Sequence, residues 1–399
     1  MKRIKLGLVT KLLIAIILGI VFGQLAFLPD FIIQIPVTIS ALFSSLLSFI
    51  IPLMIIGFVV VGIADLTQGA GKLLGITTLM AYTSTLIAGF IAYFIAVNVF
   101  PLFIDSGLSA EGIGEKASLA PLFSIPIEPI MDVTSAIVFS FMIGICISWL
   151  RGQGKGDTMY NFFSEFSLII SKLLNSLIIP GLPIFIFGNF VNLSYTGSVF
   201  SILSVFWKVF VIVIGLQLIL VSLFFVIAGL YTKKNPLTLI KNQIPGYITA
   251  IGTQSSAATI PVNLEVAKKN GVSTQIREFV IPLCATIHLL GSIVTVTSCV
   301  TAVLLMYNMP VHFGMMAGFI AMLGIAMVAA PGAPGGGIMS ALPFMTMVGI
   351  DPTGVLGNLL ITLYLTQDSF GTAANISGDN AIAVIMDKIY FKHILKKNN

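Results

Sequence analysis

Charge is scarce in this chain. Asp, Glu, Lys and Arg fill only 9% of the 399 positions, against roughly 25% in soluble domains, and so few charges could not cover a water-soluble fold of this size. Cysteine is scarce too: Cys146, Cys284 and Cys299 each lie inside an apolar segment with no Cys-x-x-Cys spacing, which excludes a disulfide framework and a thiolate metal cage. No Gly-x-x-x-x-Gly-Lys-Ser/Thr occurs, and Gly71-Lys72 and Gly154-Lys155 lack that frame, so ATP is not the expected energy source. What the chain has is apolar length. Hydrophobic residues make up 57% of it, and runs such as Leu12 to Leu28 and Phe43 to Ala64 stay uncharged over about 20 residues, enough for a helix to cross about 30 Å of hydrocarbon.

Charged loops set off spans near residues 8–28, 36–64, 75–103, 133–150, 163–190 and 200–231. Lys and Arg gather at residues 2–11, at Lys72, at Arg151 with Lys155, and at residues 233–241, 268–277 and 388–397. These groups are expected on the cytoplasmic side, and the alternate loops, with Asp30, Asp105, Glu111, Glu115, Glu128 and Asp351, outside. Both termini then lie inside a multi-pass protein of the cell membrane. The net charge of +5 reports this orientation and not a nucleic-acid partner; lipid is the partner the surface calls for. Lys2, Arg3 and Lys5 before an apolar run resemble a signal peptide, but the run is long and lacks a small-x-small exit, so an uncleaved first span is expected.

This orientation requires two later segments to enter and leave on one side. Basic groups flank a segment whose middle reads Thr253-Gln254-Ser255-Ser256-Ala257-Ala258-Thr259-Ile260-Pro261, too polar for a lipid-facing helix. A second runs from about Phe313 to Gly349 and contains Pro331-Gly332-Ala333-Pro334-Gly335-Gly336-Gly337. Irregular backbone at membrane depth survives only where protein, ligand or ion supplies hydrogen-bond partners. Two such breaks entering from opposite faces are the pattern of an inverted repeat around a midplane site. A glycine-rich kink or close helix packing is the alternative reading of either break alone.

The last span carries the other polar signal. Asp368 and Asp379 lie inside it, where a carboxylate is costly and by default functional. At 100° per residue, Asn375 and Asp379 return to within about 20° of Asp368, and Thr372 joins the same stripe, about 16 Å long. No Lys, Arg or His falls on that helix before Lys388, so the natural partners are a small cation or an ammonium group; oxygen ligands suit a hard ion such as Na⁺. A carboxylic acid kept neutral by burial is the competing reading. In the span before it, Thr286 to Ser292 form a polar interruption around Gly291. His288 there is either a proton carrier or a hydrogen-bond donor between helices.

Polarity concentrated at two breaks and two helices favours a secondary transporter over a channel, which needs a continuous polar path. An intramembrane aspartic enzyme is disfavoured because Asp368 and Asp379 are too far apart to share a proton.

These motifs resemble the dicarboxylate/amino acid:cation symporter family, which includes the glutamate transporter homologues and the serine/threonine symporters. The resemblance covers nearly the whole chain and is densest from Gly246 to Lys388. Ser255 to Val262 is similar to its first re-entrant hairpin, Pro331 to Gly337 to its second, Pro282-Leu283-Cys284-Ala285-Thr286-Ile287 to the lead-in of its broken seventh helix, and Asp368, Asn375 and Asp379 to the polar residues of its eighth. The fold this implies is all-α: eight transmembrane helices plus two re-entrant hairpins in inverted repeats. Residues 1–231 form a scaffold-rich half, whose third span joins the transport core of residues 232–399, and three protomers each move like an elevator in a homotrimer.

The resemblance also implies roles. Asp368 is expected to hold a substrate ammonium, Asn375 its carboxylate, and Ser255 and Ser256 to cap that carboxylate. Ser292, Ala330, Gly332, Gly335, Gly371 and Thr372 complete the substrate pocket. Asp379 is expected to bind Na⁺ with the carbonyls of Asn375 and Cys284, a second ion to sit among carbonyls of Thr286, Met327, Val328 and Ala330, and His288 is a further candidate ion-site residue. No other cofactor is implied. The departures are specific: Gly371 and Gln254 stand where acidic-substrate members carry arginine, and His288-Leu289-Leu290-Gly291-Ser292 replaces Asn-Met-Asp-Gly-Thr. A small neutral amino acid is therefore the expected solute. The third sodium site, which uses that lost carboxylate with Thr83, Ser84 and Tyr82, is expected to be absent.

Overall fold

A computed structural model describes residues 8–25, 28–66, 72–104, 119–131, 133–197, 199–328, 335–352 and 354–394. Among them every regular element is helical. The first seven α-helices are α1 (Leu8–Gly23), α2 (Asp30–Leu66), α3 (Lys72–Val99), α4 (Val133–Gly152), α5 (Asp157–Leu173), α6 (Ile179–Tyr195) and α7 (Val199–Thr232). A π-turn, Leu174–Ile178, joins α5 to α6 without a break, so the segment expected to begin at 163 starts a turn and a half earlier. The acidic 105–118 loop and the basic N-terminus lie outside the described residues, so the expected orientation is not read from them.

The C-terminal part is built from shorter pieces. Helices α8 (Pro236–Thr253) and α9 (Ser256–Lys269) pack against each other across a two-residue turn. Here the structure is tighter than the sequence reading: the irregular backbone is confined to Gln254, which is left-handed at φ 54°, and Ser255. The serine-rich run starts a helix instead of forming a loop, because the Ser255 hydroxyl accepts the Ala258 N–H at 3.2 Å as an N-cap. Next come α10 (Thr274–Ile287), α11 (Leu290–Met306), α12 (Phe313–Val328), the short α13 (Gly336–Ala341), a 3₁₀ segment Leu342–Val348, and α14 (Val355–Ile389). Outside the membrane-spanning segments, the half-buried Lys234 ammonium donates to the carbonyls of Asn270 (2.6 Å) and Gly271 (3.1 Å), and burial lowers its pKa from the usual lysine value. Asp387 accepts both the N–H and the hydroxyl of Ser273, at 2.9 and 2.6 Å, fixing the start of α10 to the end of α14.

Packing sorts the helices into two groups. Helix α2 packs on α4, α5 and α6, and α1 on α6. The second group surrounds α14, which touches α7, α8, α9, α10 and α11, while α3 lies against α11 and α12. Helices α3 and α7 therefore pack with the C-terminal elements although they precede residue 231. Helices α11 and α14 are buried nearly all round, as expected of core helices with no amphipathic stripe. Where the groups meet, Met54, Ile55 and Val59 of α2 line a narrow apolar crevice with Ala326, Met339 and Phe344. Among the described residues five helical stretches are long and apolar enough to cross a membrane.

Candidate functional site

Asp368 sits in α14 facing the glycine-rich segment. Its Oδ2 accepts the Gly335 N–H at 2.7 Å, and its side chain is buried. Gly335 is left-handed (φ 77°), a conformation open to glycine at little cost. One turn earlier on α14, the Tyr364 hydroxyl occupies the space a Cβ on Gly337 would need, and Ser292 Cβ lies 3.1 Å from that same point. Glycine at 337 thus lets the backbone of α13 settle on both α14 and α11. Ala330 and Gly332 lie outside the described residues, whereas Gly371 and Thr372 are buried on α14 beside Asp368.

Asn375 holds the second half of the broken helix. Its Oδ1 accepts the N–H groups of Gly291 (2.7 Å) and Ser292 (3.2 Å), and its Nδ2 donates to Ser292 Oγ at 2.9 Å. The first turn of any helix leaves N–H groups without intrahelical partners, and here a side chain from a different helix satisfies two of them. From the other side Gln217 of α7 donates to Gly291 O (3.1 Å) and Thr295 Oγ1 (2.8 Å).

The break itself falls at His288 and Leu289. His288 Nδ1 lies 2.9 Å from Asp379 Oδ1, both side chains fully buried, and Nε2 lies 3.1 Å from Ser84 Oγ on α3. Of the residues the resemblance assigns to a first sodium, Cys284 uses its carbonyl to accept the His288 N–H at 2.9 Å. Asn375 sits in an unbroken stretch of α14, where its carbonyl accepts the N–H four residues on and keeps one lone pair. Asp379 Oδ2 is buried with no hydrogen-bond partner; with the remaining lone pairs of those two carbonyls it makes at most three oxygens, short of the about six that a hard cation requires. The residues around Asp379 do not fit a sodium ion in this arrangement. Among the described residues no three His, Cys, Asp or Glu side chains cluster as metal ligands. For the second ion, Met327 is buried at the end of α12, Val328 closes that helix, and Thr286 lies on the surface with its hydroxyl on Leu283 O at 2.8 Å. Thr83 faces outward and Leu290 is buried, so the would-be third site holds neither its hydroxyl pair nor its acid.

Hairpin α8–α9 docks on the same helix through different residues. Ala250 packs against Ala373 and Ile376, Asn263 Nδ2 donates to Ile376 O at 2.8 Å, and Asn380 Nδ2 donates to Asn263 Oδ1 at 2.5 Å. Ser256 is buried at this tip and Ser255 is half-buried. The structure therefore joins Asp368 to Gly335, Asn375 to Ser292 and Asp379 to His288. The sequence reading missed Gln217, Asn263, Tyr364 and Asn380. Gln217 had a usable signal, a lone amide in an uncharged span.

A model of the sodium:dicarboxylate symporter family matches residues 8–389. The chain is 28% identical over 398 residues to the serine/threonine transporter SstT of Acinetobacter baumannii, covering 96% of this chain and 97% of that protein. It is 27% identical over 273 residues to excitatory amino acid transporter 1 of Mus musculus and of Homo sapiens, covering 67% of this chain and 49% of each relative. These relatives are transporters, which removes the membrane-enzyme reading. The match runs from the first turn of α1 to the end of α14 and takes in every residue of the site just described, so the chain belongs to the sodium:dicarboxylate symporter family and is a multi-pass membrane protein.

Proposed function

We propose that this protein is a secondary symporter that couples uptake of a small neutral amino acid to a cation gradient, with Na⁺ as the ion. The observation that carries the reading is Asp368: a buried carboxylate on the Gly335 backbone, with Gly371 three residues on and no Lys or Arg on α14 before Lys388. An ammonium group is the partner such a carboxylate lacks, and a second, side-chain carboxylate would find no counter-charge. That the chain is 28% identical over 398 residues to a serine/threonine transporter supports the same class of solute.

The transport unit in this reading comprises α3 and α7 to α14, moving against a scaffold of α1, α2 and α4 to α6 in the cell membrane. Eight spans, two re-entrant hairpins formed by α8–α9 and α12–α13, inverted repeats and three protomers per assembly complete it, with both termini cytoplasmic. The apolar crevice between α2 and α12–α13 supports an elevator, since such a surface offers no directional bonds to break on sliding. A cavity of about 390 Å³ between α2, α6 and the start of α14, lined by Ser40, Asn189 and Asn358 as well as Val37, Leu119 and Val355, leaves the groups incompletely packed there. The second ion, near Thr286 and residues 327–330, carries the sodium coupling.

Competition uptake in proteoliposomes tests the reading. Serine, threonine or alanine should inhibit at micromolar concentration and depend on a cation gradient; micromolar inhibition by aspartate, unmatched by any neutral amino acid, would overturn it.

A further inference from the structure

The His288 ring is buried and contacted at both nitrogens and along one edge by named groups. Asp379 Oδ1 faces Nδ1 at 2.9 Å, Ser84 Oγ faces Nε2 at 3.1 Å, and Phe224 meets the ring edge-on with centroids 6.1 Å apart. Space for the ring comes from α14 itself, because a Cβ on Gly378 would overlap His288 Cε1. With Asp379 ionised the ring proton lies on Nδ1 and Nε2 accepts, so the single Ser84 hydroxyl proton turns to the ring at 3.1 Å in place of the Met80 carbonyl at 2.8 Å. A chain of hydrogen bonds thus ties α3, the α10–α11 break and α14 together.

We propose that His288, and not a metal ion, is the partner of Asp379, so that this transporter binds no Na⁺ at that carboxylate and moves at most one Na⁺ per cycle. The inference rests on the symporter reading above and narrows its ion count. Three observations carry it. The imidazole fills the volume beside Asp379 Oδ1, and a nitrogen bearing a proton repels a cation there. Hard cations select oxygen ligands over imidazole, and beside the imidazole Asp379 Oδ2 and the remaining lone pairs of the Cys284 and Asn375 carbonyls offer at most three oxygens. Finally, Leu290 offers no oxygen, and Thr83 faces away. His288 acts as a positioning residue that fixes the broken helix through a bond the chain supplies itself.

The test is ²²Na⁺ binding to the purified full-length protein, with gradient-free amino acid exchange in proteoliposomes as the check that each variant folds and cycles. Wild type and Asp379→Asn should bind Na⁺ within about twofold of each other. His288→Asn should gain Na⁺ affinity by about tenfold or an added site, and the double variant His288→Asn/Asp379→Asn should lose that gain. A tenfold or greater loss of Na⁺ binding in Asp379→Asn would overturn the proposal. Should the variants fail to fold, the reversal potential of the wild type decides: zero or one Na⁺ per solute supports the inference, and two or more sinks it. A wild type that exchanges no amino acid would fault the substrate reading instead, since ²²Na⁺ binding is read without any solute.

Discussion

Gly291 of the broken helix lies against Gly371 of α14 so closely that a Cβ on Gly291 would overlap the Gly371 carbonyl oxygen and come within 2.6 Å of Ala374 Cβ. The reverse is not true: a Cβ on Gly371 would meet nothing nearer than 3.6 Å. The two glycines are therefore unequal. Gly291→Ala should destabilise the protein by roughly 1–3 kcal/mol, the usual cost of overpacking a core, while Gly371→Ala leaves the melting temperature in detergent within a degree or so of wild type. Equal melting temperatures for both variants would contradict the close crossing.

The room at Gly371 bears on specificity. Gly371→Arg should place a guanidinium near Asp368 and shift preference from neutral amino acids toward aspartate, because a buried carboxylate needs a charged, hydrogen-bonded partner. Binding measured by thermal shift across an amino acid panel checks this; an unchanged ranking would show that position 371 does not face the solute.

Asp368→Asn should abolish solute binding while leaving the fold intact. The amide oxygen still accepts the Gly335 N–H that the carboxylate accepts at 2.7 Å, but it cannot pair with an ammonium in a low-dielectric pocket. Calorimetric titration of the variant beside wild type decides; near wild-type affinity would mean the solute has no amino group at this place.

Gly337→Ala should impair transport by pushing α13 off the Tyr364 hydroxyl. Removing that hydroxyl in Tyr364→Phe relieves the nearest clash, so the double variant should recover part of the uptake lost by the single one, leaving the approaches to the ring carbon Cζ at 3.0 Å and to Ser292 Cβ at 3.1 Å. Failure of the rescue would place the defect elsewhere in the hairpin.

Much of this site is readable in the sequence because it lies on one helix of known period. Spacing alone puts Asp368, Thr372, Asn375 and Asp379 on one stripe, and each of these is buried on α14. The interruption at His288 and the start of the glycine-rich unit at Phe313 are legible for the same reason, as local breaks in apolar runs. Partners across helices are not. Nothing local in Asn375 says that its amide caps α11, and His288 reads equally as a proton carrier or a donor until Asp379 is found 2.9 Å away. Those facts depend on which residues three-dimensional packing brings together, as does the fit of Gly378 beneath the ring.

The short connection between α6 and α7 limits how far the two helix groups can travel apart at that end. Tyr195 closes α6 and Val199 opens α7, so four Cα-to-Cα steps bridge them, a reach of at most about 14 Å when fully extended. The Val199 end of α7 is thus held on a short tether. Any displacement of one helix group against the other beyond that reach must be taken up by swinging about this point or by unwinding a helix end.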